Sequence, residues 1–231
     1  MSWVSFNGVS TESIPGVEIS KMPSHKRAAM RYTEYYVKGR DGALHINEGY
    51  SNMEVQVTLV LIDATAETRQ MVNAWAIGKG KLITSDDPSK AYKATVNREV
   101  QWSRVVGNKG YFDTARINFD CEPYMYETDE TVLAYTSSGT IANPGTATAL
   151  PLIKVEGSGN ATFAVGGETI TINGMTSGVP VFIDCEAGYV YTSSGSCEMV
   201  GNFPELPLGS SAVTVGTNTS KLTITPHWRW V

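Results

Sequence analysis

Cysteine is scarce in this chain of 231 residues, which has three: Cys121, Cys185 and Cys197. An odd, sparse set with no Cys-x-x-Cys pair is poor material for a disulfide framework and reads as buried or partly buried free thiols. Histidine is equally scarce, at His25, His45 and His227. None stands three or four residues from another, so the common zinc spacings are missing. Basic charge is not in excess: the formal net charge is −5 and the pI about 5.3, which argues against a surface built to hold a nucleic-acid backbone. Long hydrophobic runs are missing too. The longest in the most regular strand-like stretch is Leu59-Val60-Leu61-Ile62, far short of a membrane span. The opening residues Met1-Ser2-Trp3-Val4-Ser5-Phe6-Asn7-Gly8 carry no cationic region followed by an apolar one, so a secretory signal is not expected. A soluble protein made in a cytoplasm, or joining an assembly there, is the expectation.

Catalytic patterns are absent as well. There is no Gly-x-Ser-x-Gly elbow, no P-loop and no Gly-x-Gly-x-x-Gly after a strand. Ser158-Gly159 and Gly166-Gly167 read as turns, and Asp86-Asp87-Pro88 as hydrated carboxylates pointing apart. No catalytic residue, metal site or cofactor is therefore expected.

What is present is a 42% hydrophobic, 18% charged composition, that of a globular protein. Charge is unevenly placed. Residues 1–130 hold 15 Lys/Arg and 17 Asp/Glu, whereas 131–231 hold 3 and 6 and are rich in Ser, Thr and Gly. The break predicts two domains, 1–135 and 136–231, joined through the turn-rich stretch 136–145. In the first half Met53, Val55, Val57, Leu59 and Leu61 alternate with Glu54, Gln56 and Thr58, the period of a strand with one buried face. Val60 and Ile62 interrupt that pattern and suggest cover on both faces near the strand's end. Residues 91–97, 99–105 and 111–121 are further strand candidates. Arg31–Val37 and Ala43–Asn47 form a candidate hairpin around Lys38-Gly39-Arg40-Asp41-Gly42. One helix is expected over 65–77, capped by Asp63 or Thr65, with Met71, Val72 and Trp75 on its packed face and Gly78 as its stop. The second half reads as short strands at 152–156, 162–165, 169–173, 179–184, 189–192, 212–215 and 221–225, the rhythm of a β-sandwich. The fold class is mainly β.

Two features leave alternatives open. Trp228 and Trp230 near the end share one face of a strand; they either plug the sandwich core or form a platform for sugar rings. Asp120-Cys121-Glu122 and Asp184-Cys185-Glu186, each followed by paired tyrosines (Tyr124/Tyr126 and Tyr189/Tyr191), are either an internal echo or a coincidence.

The succession of segments resembles the distal tail protein family of siphophages. The segments are Met22-Pro23-Ser24-His25-Lys26-Arg27, Arg31-Tyr32-Thr33-Glu34-Tyr35, Gly39-Arg40-Asp41-Gly42-Ala43-Leu44-His45 and Glu48-Gly49-Tyr50-Ser51-Asn52. They continue through Gly80-Lys81-Leu82-Ile83-Thr84-Ser85-Asp86-Asp87-Pro88, Phe119-Asp120-Cys121-Glu122-Pro123-Tyr124 and Asn143-Pro144-Gly145. Pro151-Leu152-Ile153-Lys154-Val155-Glu156-Gly157-Ser158-Gly159 and Ile224-Thr225-Pro226-His227-Trp228-Arg229-Trp230 complete the series. The resemblance implies an N-terminal β-sandwich with one helix and a long hairpin, then a galectin-like C-terminal β-sandwich. It implies a non-enzymatic virion component of the tail tip, assembled in the bacterial host cytoplasm as a hexameric ring. In that family the ring continues the tail tube and passes DNA, while tail-tip, tail-associated or receptor-binding proteins attach to it. A carbohydrate-binding module for host-surface recognition is the alternative, although a chain this short has no room for an inserted sugar-binding domain.

One segment stands out against the acidic background. Residues 21–40 carry Lys21, Lys26, Arg27, Arg31, Lys38 and Arg40 against a single acid, Glu34. The segment is either a solvated basic loop or an arm laid across a neighbouring subunit. The arm's candidate contact residues are Lys26, Arg27, Arg31, Tyr32, Tyr35, Tyr36 and Arg40.

Overall fold

The computed structural model describes residues 2–24, 26–107, 110–193 and 195–231. Its contacts divide the chain into two compact units, one ending at Thr128 and the other running from Asp129 to Trp230. The boundary lies upstream of the expected joint at 136–145. Leu133–Tyr135, just before that stretch, and Gly139–Asn143, within it, are already strands of the second unit.

The first unit contains β1 (Val4–Phe6), β2 (Val9–Ser10), β3 (Val17–Lys21), β4 (Met30–Tyr35), β5 (Leu44–Tyr50) and β6 (Met53–Leu61). Helix α1 (Ala66–Trp75) follows, then β7 (Gly78–Thr84), β8 (Asp87–Val96), β9 (Gln101–Gly107) and β10 (Gly110–Glu127). One sheet runs in the order β2-β1-β7-β8-β10-β6-β3, with β9 also paired to β10. β10 is its spine. Residues 110–116 pair with β9 and residues 120–127 with β8 along one edge, while residues 113–121 pair with β6 along the other. A register shift between Cys121 and Met125 bends the strand.

The sheet supplies both layers of this unit by curling on itself. Phe6 on β1 and Phe119 on β10 lie three strands apart, roughly 14 Å in a flat ladder. Their ring centroids are instead 5.0 Å apart, at an interplanar angle of 69°. Trp75 of α1 completes the cluster, 6.0 Å from Phe119 and 6.3 Å from Phe6. The alternation along β6 is as expected, with Val55, Val57, Leu59 and Leu61 buried. Of the two residues that interrupt the pattern, Val60 is half-buried while Ile62, just past the strand's end, is half exposed. Thr65 caps α1 by accepting the Thr68 amide at 3.1 Å. Val72 and Trp75 are buried, but Met71 is exposed: a ten-residue helix packs through a stripe too narrow for all three.

A charge cluster ties α1 to the β9–β10 hairpin. Asp113 is buried, and its carboxylate accepts Arg104 Nε at 2.7 Å and Arg69 Nε at 2.7 Å. The Arg104 hydrogen bond, joined by that from Arg69, outweighs desolvation and holds the Asp113 carboxyl below the usual carboxylate range.

The second unit contains β11 (Leu133–Tyr135), β12 (Gly139–Asn143), β13 (Leu152–Gly157), β14 (Gly159–Val165), β15 (Glu168–Met175) and β16 (Val181–Asp184). It continues with β17 (Tyr189–Thr192), β18 (Gly195–Ser196), β19 (Met199–Val200), β20 (Gly209–Val215) and β21 (Thr219–Thr225). Two antiparallel sheets, β11-β21-β13-β16-β17-β18 and β12-β20-β14-β15-β19, enclose a core of Ile153, Phe163, Ile170, Ile172, Ile183 and their neighbours. The Asn143-Pro144-Gly145 turn fits only with glycine at its end, since a Cβ on Gly145 would lie 2.3 Å from the Arg229 carbonyl oxygen.

Trp228 is buried in the core and Trp230, half-buried, packs against the same core, so the two tryptophans do not form an open platform. The Asp-Cys-Glu echo is not a structural repeat. Cys121 lies inside β10, opposite Met53 and Ala94, whereas Cys185 follows the end of β16. Cys121, Cys185 and Cys197 are free, the first two buried and the third half-buried. Burial pushes the Cys121 and Cys185 thiols up to about 12, so both stay protonated and unreactive near neutral pH.

Candidate interaction arm

β4 and β5 pair only with each other, as a two-stranded ribbon separate from the curled sheet. Their register sets Tyr32 opposite Asn47, Thr33 opposite Ile46, Glu34 opposite His45 and Tyr35 opposite Leu44. Cross-strand partners share a face, and faces alternate along each strand. One face therefore carries Thr33, Tyr35, Leu44 and Ile46, and the other Tyr32, Glu34, His45 and Asn47. The ribbon is amphipathic, yet its apolar face is uncovered: Tyr35, Leu44 and Ile46 are 53%, 39% and 55% exposed. Between Ala29 and Glu48 only Thr33 and Ala43 are even half-buried. The base of the ribbon is anchored where Ala28 is buried, Ser51 N donates to Ala29 O at 2.8 Å, and Tyr50 packs edge-on against Tyr124.

Most of the candidate arm residues expected from the sequence lie on or beside this ribbon. Arg31 sits on β4 and donates to the Glu48 carbonyl at 3.1 Å, which braces the two strands. Tyr32 packs edge-on against His45 at 4.9 Å on the polar face. Tyr35 lies on the apolar face, and Tyr36, just past β4, donates to Glu34 at 2.8 Å and is 78% exposed. Arg40 is exposed in the connection between the strands, where its amide bonds the Val37 carbonyl. Lys26 and Arg27 are exposed on the approach to β4. His25 lies outside the described residues. Leu44 and Ile46, which the register places on the exposed apolar face, are not among the candidates drawn from the sequence. Their signal in the sequence is the period-two alternation with His45 and Asn47, which marks a strand but not which of its faces stays uncovered.

Nothing among the described residues brings three His, Cys, Asp or Glu side chains together to hold a metal. No helix among them is long and apolar enough to cross a membrane.

The arrangement is β-rich throughout: two packed units, the first of which carries an amphipathic ribbon whose apolar face stays exposed among the described residues. The fold matches that of SPP1 Dit (gp 19.1), whose structure is described as a paradigm of the hub adsorption apparatus in phages infecting Gram-positive hosts. That likeness covers 100% of both chains at a TM-score of 0.75 and 15% identity. The resemblance drawn from the sequence segments therefore holds at the level of the fold. Structures of the phage p2 baseplate in its activated conformation, with Ca or with Sr, align at TM-scores of 0.45 and 0.43, 10% identity and 97% coverage of each chain. No protein-family model and no curated protein sequence matches the chain.

Proposed function

We propose that the chain is a structural hub of a phage tail tip, assembled as a ring of identical copies. The observation that carries this reading is the uncovered apolar face of the arm, in a chain whose fold agrees over its full length with that of a phage hub protein. A lone two-stranded ribbon is at best marginally stable in water, so the apolar face calls for a partner. In this reading the partner is the next subunit. A head-to-tail contact of this kind, repeated around an axis, closes a ring. Tyr35, Leu44 and Ile46 act as its buried anchors, and Lys26, Arg27, Arg31 and Arg40 meet acidic groups that fix its register. The ring is a hexamer formed by the first unit and continues the tail tube; the second unit serves tail-tip and receptor-binding partners. DNA passes through the channel without sequence-specific contact. The role is non-enzymatic and cofactor-free, at the virion tail tip after assembly in the host cytoplasm.

Replacing Arg27, Arg31 and Arg40 together with glutamate is expected to leave the circular dichroism spectrum intact and convert the ring to monomer at moderate salt. Light scattering reads this directly, and an intact ring in the triple variant would reduce the basic segment to a solvated face. Truncation separates the roles of the two units. A chain ending at Thr128 keeps every strand of the first unit and should still assemble, while residues 129–231 should remain monomeric. Ring formation by the latter in sedimentation velocity would reverse the assignment.

A further inference from the structure

A ring closed head-to-tail needs two different patches on every copy, one that reaches out and one that receives. The first unit carries a second exposed apolar surface besides the ribbon, and it centres on α1. The helix buries Val72 and Trp75. Glu67, Met71 and Ala74 recur at helical spacing on the opposite stripe and are exposed. Ile62, just before the helix cap, and Ile77, just past the helix end, are 50% and 68% exposed. Two strands flank the helix and add to this stripe. Trp102 of β9 donates to Asn73 Oδ1 at 3.1 Å, and Arg104 meets Arg69 at their shared partner Asp113, so this face of β9 is turned towards α1. Val106, next on that face, is 83% exposed. At the C-terminal end of the helix Trp75 Nε1 donates to the Val9 carbonyl at 2.9 Å, and the Val9 side chain is exposed as well. Among the described residues of the first unit outside the ribbon, Val105 alone is a large exposed apolar side chain away from this surface, on the opposite face of β9.

The charge of this surface is opposite to that of the arm. Asp63 and Glu67 stand exposed at the start of the helix, and the one cation on the helix, Arg69, is held by Asp113. The arm carries Arg27, Arg31, Lys38 and Arg40, all exposed, around its apolar face. We infer that α1 and its flanks receive the β4–β5 ribbon of a second copy of this chain. Tyr35, Leu44 and Ile46 lie on Met71, Ala74 and Ile77, and the arm's guanidinium groups lie beside Asp63 and Glu67. This inference rests on the reading of the arm as a ring contact and supplies the other half of that contact. Two wetted apolar surfaces leave water by covering each other. The charges at their margins set the register and steer the encounter more than they add affinity.

The test uses the full chain and sedimentation velocity on three proteins. They are the parent, the arm variant with Arg27, Arg31 and Arg40 all changed to Glu, and a helix variant with Met71→Glu and Ile77→Glu. Every substituted side chain is exposed, so all three should share one circular dichroism spectrum and melt alike. The parent should assemble and each variant should sediment as a monomer. An equimolar mixture of the two variants should then form a dimer and nothing larger, because one intact arm meets one intact helix face and the chain of contacts stops there. The mixture is run at about 100 μM, since a single contact binds more weakly than a closed ring of them. Recovery of the dimer also shows that both variants are folded. A monomeric parent overturns the hub reading together with this inference. A parent that assembles alongside a helix variant that still assembles overturns the helix face alone and leaves the hub reading standing. A mixture that stays monomeric while the parent assembles overturns the arm as the occupant of α1.

Discussion

Replacing Asp113 with alanine is expected to lower the stability of the first unit by about 3 kcal/mol and its melting temperature by roughly 10 °C. The carboxylate is buried and receives both Arg69 and Arg104, so it joins the helix to the β9–β10 hairpin through one residue. The loss sits at the low end for a broken buried pair because Arg104 is 51% exposed and Arg69 34%, and both can rehydrate. The charge also predicts a pH dependence. The folded-state pKa of Asp113 is lowered, so its contribution is fully present above the ordinary carboxylate value of about 3.9. It is lost as pH falls through the lower folded value. Urea unfolding followed by tryptophan fluorescence at pH 7 and near pH 2 checks both statements. Asp113→Asn should be destabilised at the higher pH and converge on the parent at the lower. A constant gap between the two proteins would show that the cluster acts through packing and not charge.

Phe119→Ala is expected to cost about 3–5 kcal/mol, a large fraction of the roughly 5–15 kcal/mol that holds a typical domain folded. Phe119 is fully buried and touches both Phe6 and Trp75, so its ring holds β1, β10 and α1 to one point. Removing it opens a cavity between the sheet's two layers. The quantity to measure is the denaturation midpoint of the full chain, with the Phe119→Leu variant alongside. Leucine should recover more than half of the loss, since it refills most of the volume without the edge-to-face geometry. An alanine variant as stable as the parent would mean the two layers can collapse together without the ring.

The parts of this architecture legible in the sequence were those governed by local periodicity. β6 and α1 could be read because burial on one face leaves a period of two or of 3.6, and β17 at Tyr189–Thr192 matched residue for residue. The hairpin was also legible, although pairing runs from Met30 to Tyr35 against Leu44 to Tyr50, which leaves a longer connection than the glycines at 39 and 42 suggested. β7 was missed because Gly78-Lys79-Gly80-Lys81 has neither strand propensity nor alternation; it is a strand because β1 and β8 flank it. The Asp113 cluster was invisible because its three members are separated by tens of residues and meet only after β10 has formed. Tyr189 and Tyr191 stand out as a pair in the sequence, but Phe182 stacks on Tyr191 only through cross-strand register. The short strands β11, β18 and β19, of three residues or fewer, have too few residues to carry a period of their own.

The ribbon formed by β4 and β5 shares no ladder with the sheet it grows from. Energetically it is a side branch: its strands can melt or reorder while the Phe6–Trp75–Phe119 centre stays as it is. Substitutions in the ribbon are therefore screened by what it touches and hardly at all by folding, whereas those in β10 are screened by folding first. Substitutions along Met30–Tyr50 can therefore be accommodated at little cost to folding, whereas those at Phe6, Trp75 and Phe119 cannot. Two chains with little sequence in common along the ribbon can still share one body.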